Sequence, residues 1–176
     1  LKARTSHAWL RAAGGNYTVA MIGKLIPYTV IYLVLGIGCY IILFRFAGFP
    51  VYGSHARLLF GLMLFIFAME ALGITMIGLL PTLRDALSIG ALYSMLGFSL
   101  SGFTYPQMAM LPPFKALSYI EPLRHYYLIY VNEALMAAPI ENSLPNMLAL
   151  TGFMLASLCV APRLHRALVY MNYPLK

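Results

Sequence analysis

Residues 58–80 read LLFGLMLFIFAMEALGITMIGLL, and Glu70 is the only charged side chain among them. A helix rises about 1.5 Å per residue, so about 20 apolar residues cross the roughly 30 Å hydrocarbon core of a bilayer. The stretch has that length, and it lacks the apolar–polar alternation of a barrel strand. Only helices and closed barrels satisfy backbone hydrogen bonds inside lipid. The reading is therefore a membrane-spanning helix, and it sets the class of the whole chain.

Three more apolar blocks fit the same reading. Leu25–Phe44 carries no charge and ends at Arg45. Ala86–Thr104 is just long enough to span. Met147–Ala161 is short and is closed by Pro162, with Asn146 and Arg163 placed at the two interfaces. The expected spans are about 25–45, 58–80, 86–104 and 146–163. Composition agrees: 61% of the chain is hydrophobic and 10% charged, against about 45–50% and about 25% in soluble domains.

The formal net charge is +7, but the basic residues lie between apolar blocks instead of along one face. That pattern sets membrane topology and does not point to nucleic acid. Four spans put both ends on one side. Lys2, Arg4, Arg11, Lys24, Arg84, Arg163, Arg166 and Lys176 fall on that side; Arg45, Arg57, Lys115 and Arg124 fall on the other. Positive charge favours the cytoplasm, so both ends are expected there.

Residues 105–145 have a different texture. Pro106, Pro112, Pro113, Pro122, Pro139 and Pro145 punctuate them. From Leu123, apolar side chains recur at Tyr126, Tyr127, Tyr130, Val131, Ala134, Leu135 and Ala138, which is a helical period. Arg124, His125, Asn132 and Glu133 lie off that face. Phe114, Leu117 and Ile120 give a shorter face before Pro122. Proline suits a first helical turn and forbids one continuous helix. The expectation is two short helices joined at Glu121-Pro122, too short and too polar to span. The fold class is then all-α: a polytopic membrane bundle of four spans plus an extracytoplasmic re-entrant hairpin over about 106–139. Residues 1–24 form a cytoplasmic loop, 25–170 the transmembrane domain and 171–176 a cytoplasmic tail.

Few residues offer chemistry. Glu70 is the only acid inside a span. Burying it is costly, so it marks a functional site, a hydrogen bond to a neighbouring helix, or a protonated acid facing a wet cavity. Gly90/Ser94 and Gly97/Ser101 have the small-xxx-small spacing that lets helices approach closely. His125 has Glu121 four residues before it, but one such pair with Pro122 between does not make a metal site, and Cys39 and Cys159 lack ligand spacing. No catalytic or metal-ligating set emerges. Gly23-Lys24 is followed by Leu25, and Thr18 stands where a P-loop needs its first glycine, so any ATP would be bound by another subunit.

The combination of motifs resembles one family. Ser99-Leu100-Ser101-Gly102-Phe103-Thr104-Tyr105-Pro106 leads out of the third span. Met110-Leu111-Pro112-Pro113 follows, then Ala116-Leu117-Ser118-Tyr119-Ile120 and Glu121-Pro122-Leu123-Arg124-His125-Tyr126. This order is similar to the "SGF-x-[FY]-P", "MPP" and "LSY-x-x-PL-x-[HY]-Y" pattern of type-2 ABC exporter permeases, with the proline turn one residue longer. Ile22-Gly23-Lys24-Leu25-Ile26-Pro27-Tyr28 resembles the "GK-x-x-PY" that opens an earlier span there. The resemblance implies the permease subunit of an ATP-driven exporter in a bacterial inner membrane. It implies a separate ABC ATPase subunit that holds ATP and Mg, with no cofactor on this chain. It also implies a second permease subunit, identical or not, a periplasmic adaptor as a further partner, and contact with membrane lipid. Two N-terminal spans would precede this stretch. His7, Trp9, Leu10 and Arg11 would lie in the coupling helix that meets the ATPase. Tyr105, Pro106, Pro112, Pro113, Tyr119, Glu121, Pro122 and Arg124 would form the re-entrant gate. Tyr93, Phe98, Tyr105, Tyr119 and Tyr126 are candidates to line the path. The alternatives are an ion-coupled carrier or channel built on Glu70, and an intramembrane enzyme using Glu70, His55 or His125.

Overall fold

The computed structural model describes residues 13–80 and 83–170. Gly14 and Gly15 turn the chain with positive φ, and the Asn16 side chain accepts a hydrogen bond from the Thr18 amide at 3.2 Å. That N-cap starts helix α1 (Tyr17–Ile41) well before the apolar block at Leu25. A π-helical turn, Ile42–Phe46, finishes it. Ser54 caps α2 (His55–Leu79). Helix α3 is Leu83–Leu100.

A 3₁₀ turn at Gln107–Ala109 follows, then α4 (Pro112–Ser118) and α5 (Pro122–Tyr130), which runs into a π-helical turn at Val131–Leu135. Prolines occupy the first turns of α4 and α5 as expected. Helix α6 is Ile140–Tyr170. No strand occurs among the described residues.

Two further helices depart from their apolar blocks. The third block bends from Ser101 onward, where Gly102 adopts φ +97°, so α3 is 18 residues long. The fourth helix is longer than expected. It begins before Pro145 and continues through Pro162. Each proline removes one backbone hydrogen bond, but the helix is held along its first half by α2 and α5. Among the described residues three helices are long and apolar enough to cross a membrane: Thr18–Phe46, His55–Leu79 and Ile140–Val160. Helix α3 carries Arg84 and Asp85 in its first turn, which shortens its apolar run.

Side-chain contacts fix the directions. Thr29 meets Glu70 and Tyr40 meets His55, so α1 and α2 are antiparallel. Leu64, Ala68, Ile129, Met147 and Leu150 form the buried core, with Phe65, Phe153 and Met154 around it. Arg57 reaches Ser143 through Glu133, and the core pairs the next turns of α2 with the next turns of α6. These two helices therefore run parallel. Helix α3 carries the chain back between them, and residues 101–139 stay at the end where α2 and α6 both begin.

The segment at that end is a helical hairpin folded back along α2. Tyr126 of α5 stacks on Phe65, with ring centroids 5.0 Å apart and planes 19° apart. Ile129 fills the space over Gly61, where an added Cβ would lie 2.9 Å from Ile129 Cγ2. Farther along, the Gly53 amide donates to the Glu133 carbonyl at 2.9 Å. Helix α5 is thus antiparallel to α2, and its first turn is the part farthest in. Phe65 is ten residues from His55, so the hairpin tip lies roughly 15 Å or more along α2 by helical rise.

Candidate functional site

Three polar clusters organise this hairpin. The first is its heel. Glu133, on the π-helical turn after α5, is fully buried. It pairs with Arg57 Nε at 3.2 Å and accepts from Ser143 Oγ at 2.9 Å. The Tyr52 amide donates to the Ala134 carbonyl at 3.0 Å, beside the Gly53 bond to Glu133. An added Cβ at Gly53 would overlap the Glu133 carbonyl oxygen, so only glycine permits this approach. The α1–α2 loop, α2, α5 and α6 are joined at one point. No sequence motif marks it: Arg57, Glu133 and Ser143 are brought together only by the tertiary fold.

The second cluster seats the tip on α3. Glu121 is buried, and an added Cβ at Gly97 would lie 2.5 Å from Glu121 Oε2. The Tyr93 hydroxyl donates to the Ile120 carbonyl at 2.6 Å and also reaches the Glu121 carboxyl. Gly97 of the small-residue pattern therefore receives the hairpin of its own chain. An added Cβ at Gly90 would lie 3.6 Å from Met76 Sδ, ordinary contact distance.

The third cluster surrounds Arg124, one turn into α5. Its side chain is only 4% exposed. The guanidinium carbon sits 3.6 Å from the centre of the Tyr119 ring, and Nη2 donates to Gln107 Oε1 at 3.4 Å. Nε and Nη1 have no hydrogen-bond partner, and neither does Gln107 Nε2. Glu121 turns the other way, and no described carboxylate forms an ion pair with Arg124. A cation–π contact contributes about 0.5–2 kcal/mol, whereas taking an ion out of water costs several kcal/mol. The charge at Arg124 is under-compensated.

His125 does not join Glu121. Its Nδ1 lies 3.1 Å from Asn146 Oδ1 and its Nε2 lies 3.1 Å from the Tyr119 carbonyl. These bonds tie the tip to α6. Among the described residues no three His, Cys, Asp or Glu side chains gather as a metal cage. Glu70 has a partner that the sequence could not name: Thr29 Oγ1 of α1 lies 2.9 and 2.8 Å from its two carboxyl oxygens. His55 instead contacts Tyr40. Glu70, His55 and His125 thus occupy three separate environments.

Of the expected gate residues, Pro112, Pro113 and Pro122 start the hairpin helices; Tyr119 and Arg124 meet at the tip, while Glu121 turns to Gly97. Tyr105 is exposed. The candidate path aromatics are dispersed: Tyr93 on Ile120, Phe98 beside Phe103, Tyr126 on Phe65. His7, Trp9, Leu10 and Arg11 lie outside the described residues.

A family model for the ABC-2 type transporter matches residues 9–135. The chain belongs to the ABC-2 type transporter family. The match takes in α1 to α3 and the whole hairpin up to the heel at Glu133. No curated protein and no solved structure matches it. The chain is a multi-pass membrane protein and a transport component of that family.

Proposed function

We propose that this chain is the membrane-spanning permease subunit of an ATP-driven exporter, with the hairpin as its outer gate. The observation that carries the reading is the placement of residues 101–139. They fold back along α2 with a polar tip seated on α3, while α2 and α6 both start at the same end. In this reading α3 is the remaining one of four spans, and the hairpin re-enters the membrane without crossing it. The two-to-one bias of Lys and Arg puts the hairpin outside and the ends in the cytoplasm.

ATP would be hydrolysed by a separate ATPase subunit, contacted through the segment before Gly14. A second permease subunit would face this one. Large apolar side chains along α1, including Val30, Ile31, Val34 and Leu35, are exposed and suit lipid or a partner helix. Closure of the ATPase pair would shift the population between inward and outward states of the permease, a rigid-body change driven by differential nucleotide affinity. The Thr29–Glu70 contact favours a structural role for Glu70 over an ion-coupled carrier.

The test is co-purification of the full-length protein with an ATPase whose hydrolysis it stimulates. Transport by the full-length protein alone, driven by an ion gradient and indifferent to ATP, would refute the reading.

A further inference from the structure

We propose that the tip of the hairpin binds the oxyanion of a phosphate-bearing ligand, held by Arg124 and Gln107 beneath the Tyr119 ring. The inference rests on the hairpin being the gate of a transport path, and it adds the chemistry of what the gate recognises.

Arg124 carries a full positive charge at a position only 4% exposed. Two of its three guanidinium nitrogens and the Gln107 amide nitrogen are buried donors without acceptors. Every unpaired group in this cluster is therefore a donor. The complementary ligand is an anion with several acceptor oxygens, which phosphate supplies. Other hairpin groups do not quench the charge. Glu121 is turned to Gly97 and Tyr93. Glu133 is engaged with Arg57 and Ser143. His125 faces Asn146. Lys115 acts on Tyr119 with the same sign as Arg124. An unpaired cation inside a membrane segment marks a ligand path by default.

Access has a simple route. Tyr119 covers the guanidinium with its ring yet is itself 55% exposed, so rotation of one surface side chain uncovers the donors. On the other side the Gln107 side chain packs closely over Gly102, where an added Cβ would lie 3.1 and 3.2 Å from Gln107 Cγ and Nε2, so glycine there holds the Gln107 amide beside Arg124. A phosphate reaching the tip has two sources, the headgroup of an anionic phospholipid and a phosphate free in solution.

The experiment uses the full-length protein in dodecyl maltoside micelles, which contain no phosphate, without nucleotide or partner. Thermal unfolding is followed while dioctanoyl phosphatidylglycerol, inorganic phosphate or dioctanoylglycerol is added. Saturable stabilisation by the first alone assigns a lipid headgroup; stabilisation by inorganic phosphate assigns the soluble ion. Dioctanoylglycerol, with the same tails and no phosphate, gives none. In either supporting case Arg124→Gln weakens binding about tenfold or more, the loss of a charge-assisted hydrogen bond. If that variant does not fold, Gln107→Leu must weaken binding as well. No stabilisation of the wild type, an equal response to dioctanoylglycerol, or unchanged binding in these variants overturns the proposal. Binding is read without ATP. Lost binding with retained ATP-driven transport therefore falls on this proposal, and retained binding without ATPase stimulation falls on the exporter reading.

Discussion

Removing Arg57 should destabilise the protein more than neutralising its partner Glu133. Glu133 is fully buried and has two side-chain partners, Arg57 at 3.2 Å and Ser143 at 2.9 Å. Arg57→Ala leaves the carboxylate with Ser143 alone. Stranding a buried charge in this way costs about 3–5 kcal/mol. Two features lower that figure. The Arg57 side chain is 31% exposed, so water can partly replace it. Arg57 also sits in the first turn of α2, where a cation opposes the helix dipole, and its removal returns about 0.3–1 kcal/mol. The net expectation is about 2–4 kcal/mol. Glu133→Gln keeps the size of the side chain and an acceptor for Ser143. It leaves only Arg57 unpaired, and Arg57 reaches solvent. Its expected cost is about 1–2 kcal/mol, the loss of one ion pair whose cation stays within reach of water. The double variant should resemble Glu133→Gln, because no buried charge remains. The assay is reversible unfolding of the full-length protein in mixed micelles by a denaturing detergent. An Arg57→Ala variant as stable as Glu133→Gln, or more stable, would refute the claim that a stranded carboxylate dominates the heel.

The remaining predictions concern close approaches and the mid-helix acid. Gly53→Ala should cost about 1–3 kcal/mol, because the new Cβ displaces two backbone hydrogen bonds; Gly38→Ala, with open space around it, is the control, and equal melting of the two variants would contradict the account. Thr29→Val should lower the unfolding midpoint by removing the donor to Glu70, at about 1–3 kcal/mol, while Glu70→Gln should stay near wild type since its amide oxygen still accepts from Thr29. A Glu70→Gln variant that folds normally but no longer transports would show that the acid does more than join two helices. Gly97→Ala should push Glu121 off its seat and cost about 1–3 kcal/mol by overpacking, and in combination with Glu121→Ala the cost should shrink, because the shortened side chain makes room. Additive losses in the double variant would mean that Gly97 and Glu121 do not compete for one space.

The bundle was legible in the sequence because apolar run length is a local property. The stretch from Leu58 to Leu80 announces a long helix on its own, and Pro112, Pro113 and Pro122 announce where the short helices start. Helix ends were less legible. Asn16 begins α1 through a capping bond, a stronger local signal than the polarity change at Lys24. Pro162 does not end α6, which continues to Tyr170; a proline inside a helix removes one backbone hydrogen bond without having to end it. The clusters were hardest. Glu121 and Arg124 were expected at the gate, but their division of labour depends on Gly97 and Gln107, which no spacing rule connects to them. Glu133 lies off the apolar face of its helix in the sequence. Its burial follows from Arg57 and Ser143 arriving from two other helices, and single-sequence periodicity carries no record of such contacts.

Heel and tip of the hairpin differ in what holds them, and the difference decides which part can move. Freeing the heel would break two backbone hydrogen bonds, uncouple Glu133 from Arg57 and Ser143, and lift Ile129 out of the fully packed space over Gly61. Each of these is expensive in a buried setting, the stranded carboxylate most of all. Freeing the tip would break the Tyr93 bond to Ile120 and slide Glu121 from Gly97, while His125 keeps or exchanges its bond to Asn146. Tyr119 and Ile120, at the tip itself, are already exposed. Low-cost opening belongs where few buried contacts must be given up. If the hairpin opens as the proposed gate, Glu133 is the natural pivot, and residues 119–120, already exposed, are where opening would begin, beside the unpaired donors of Arg124.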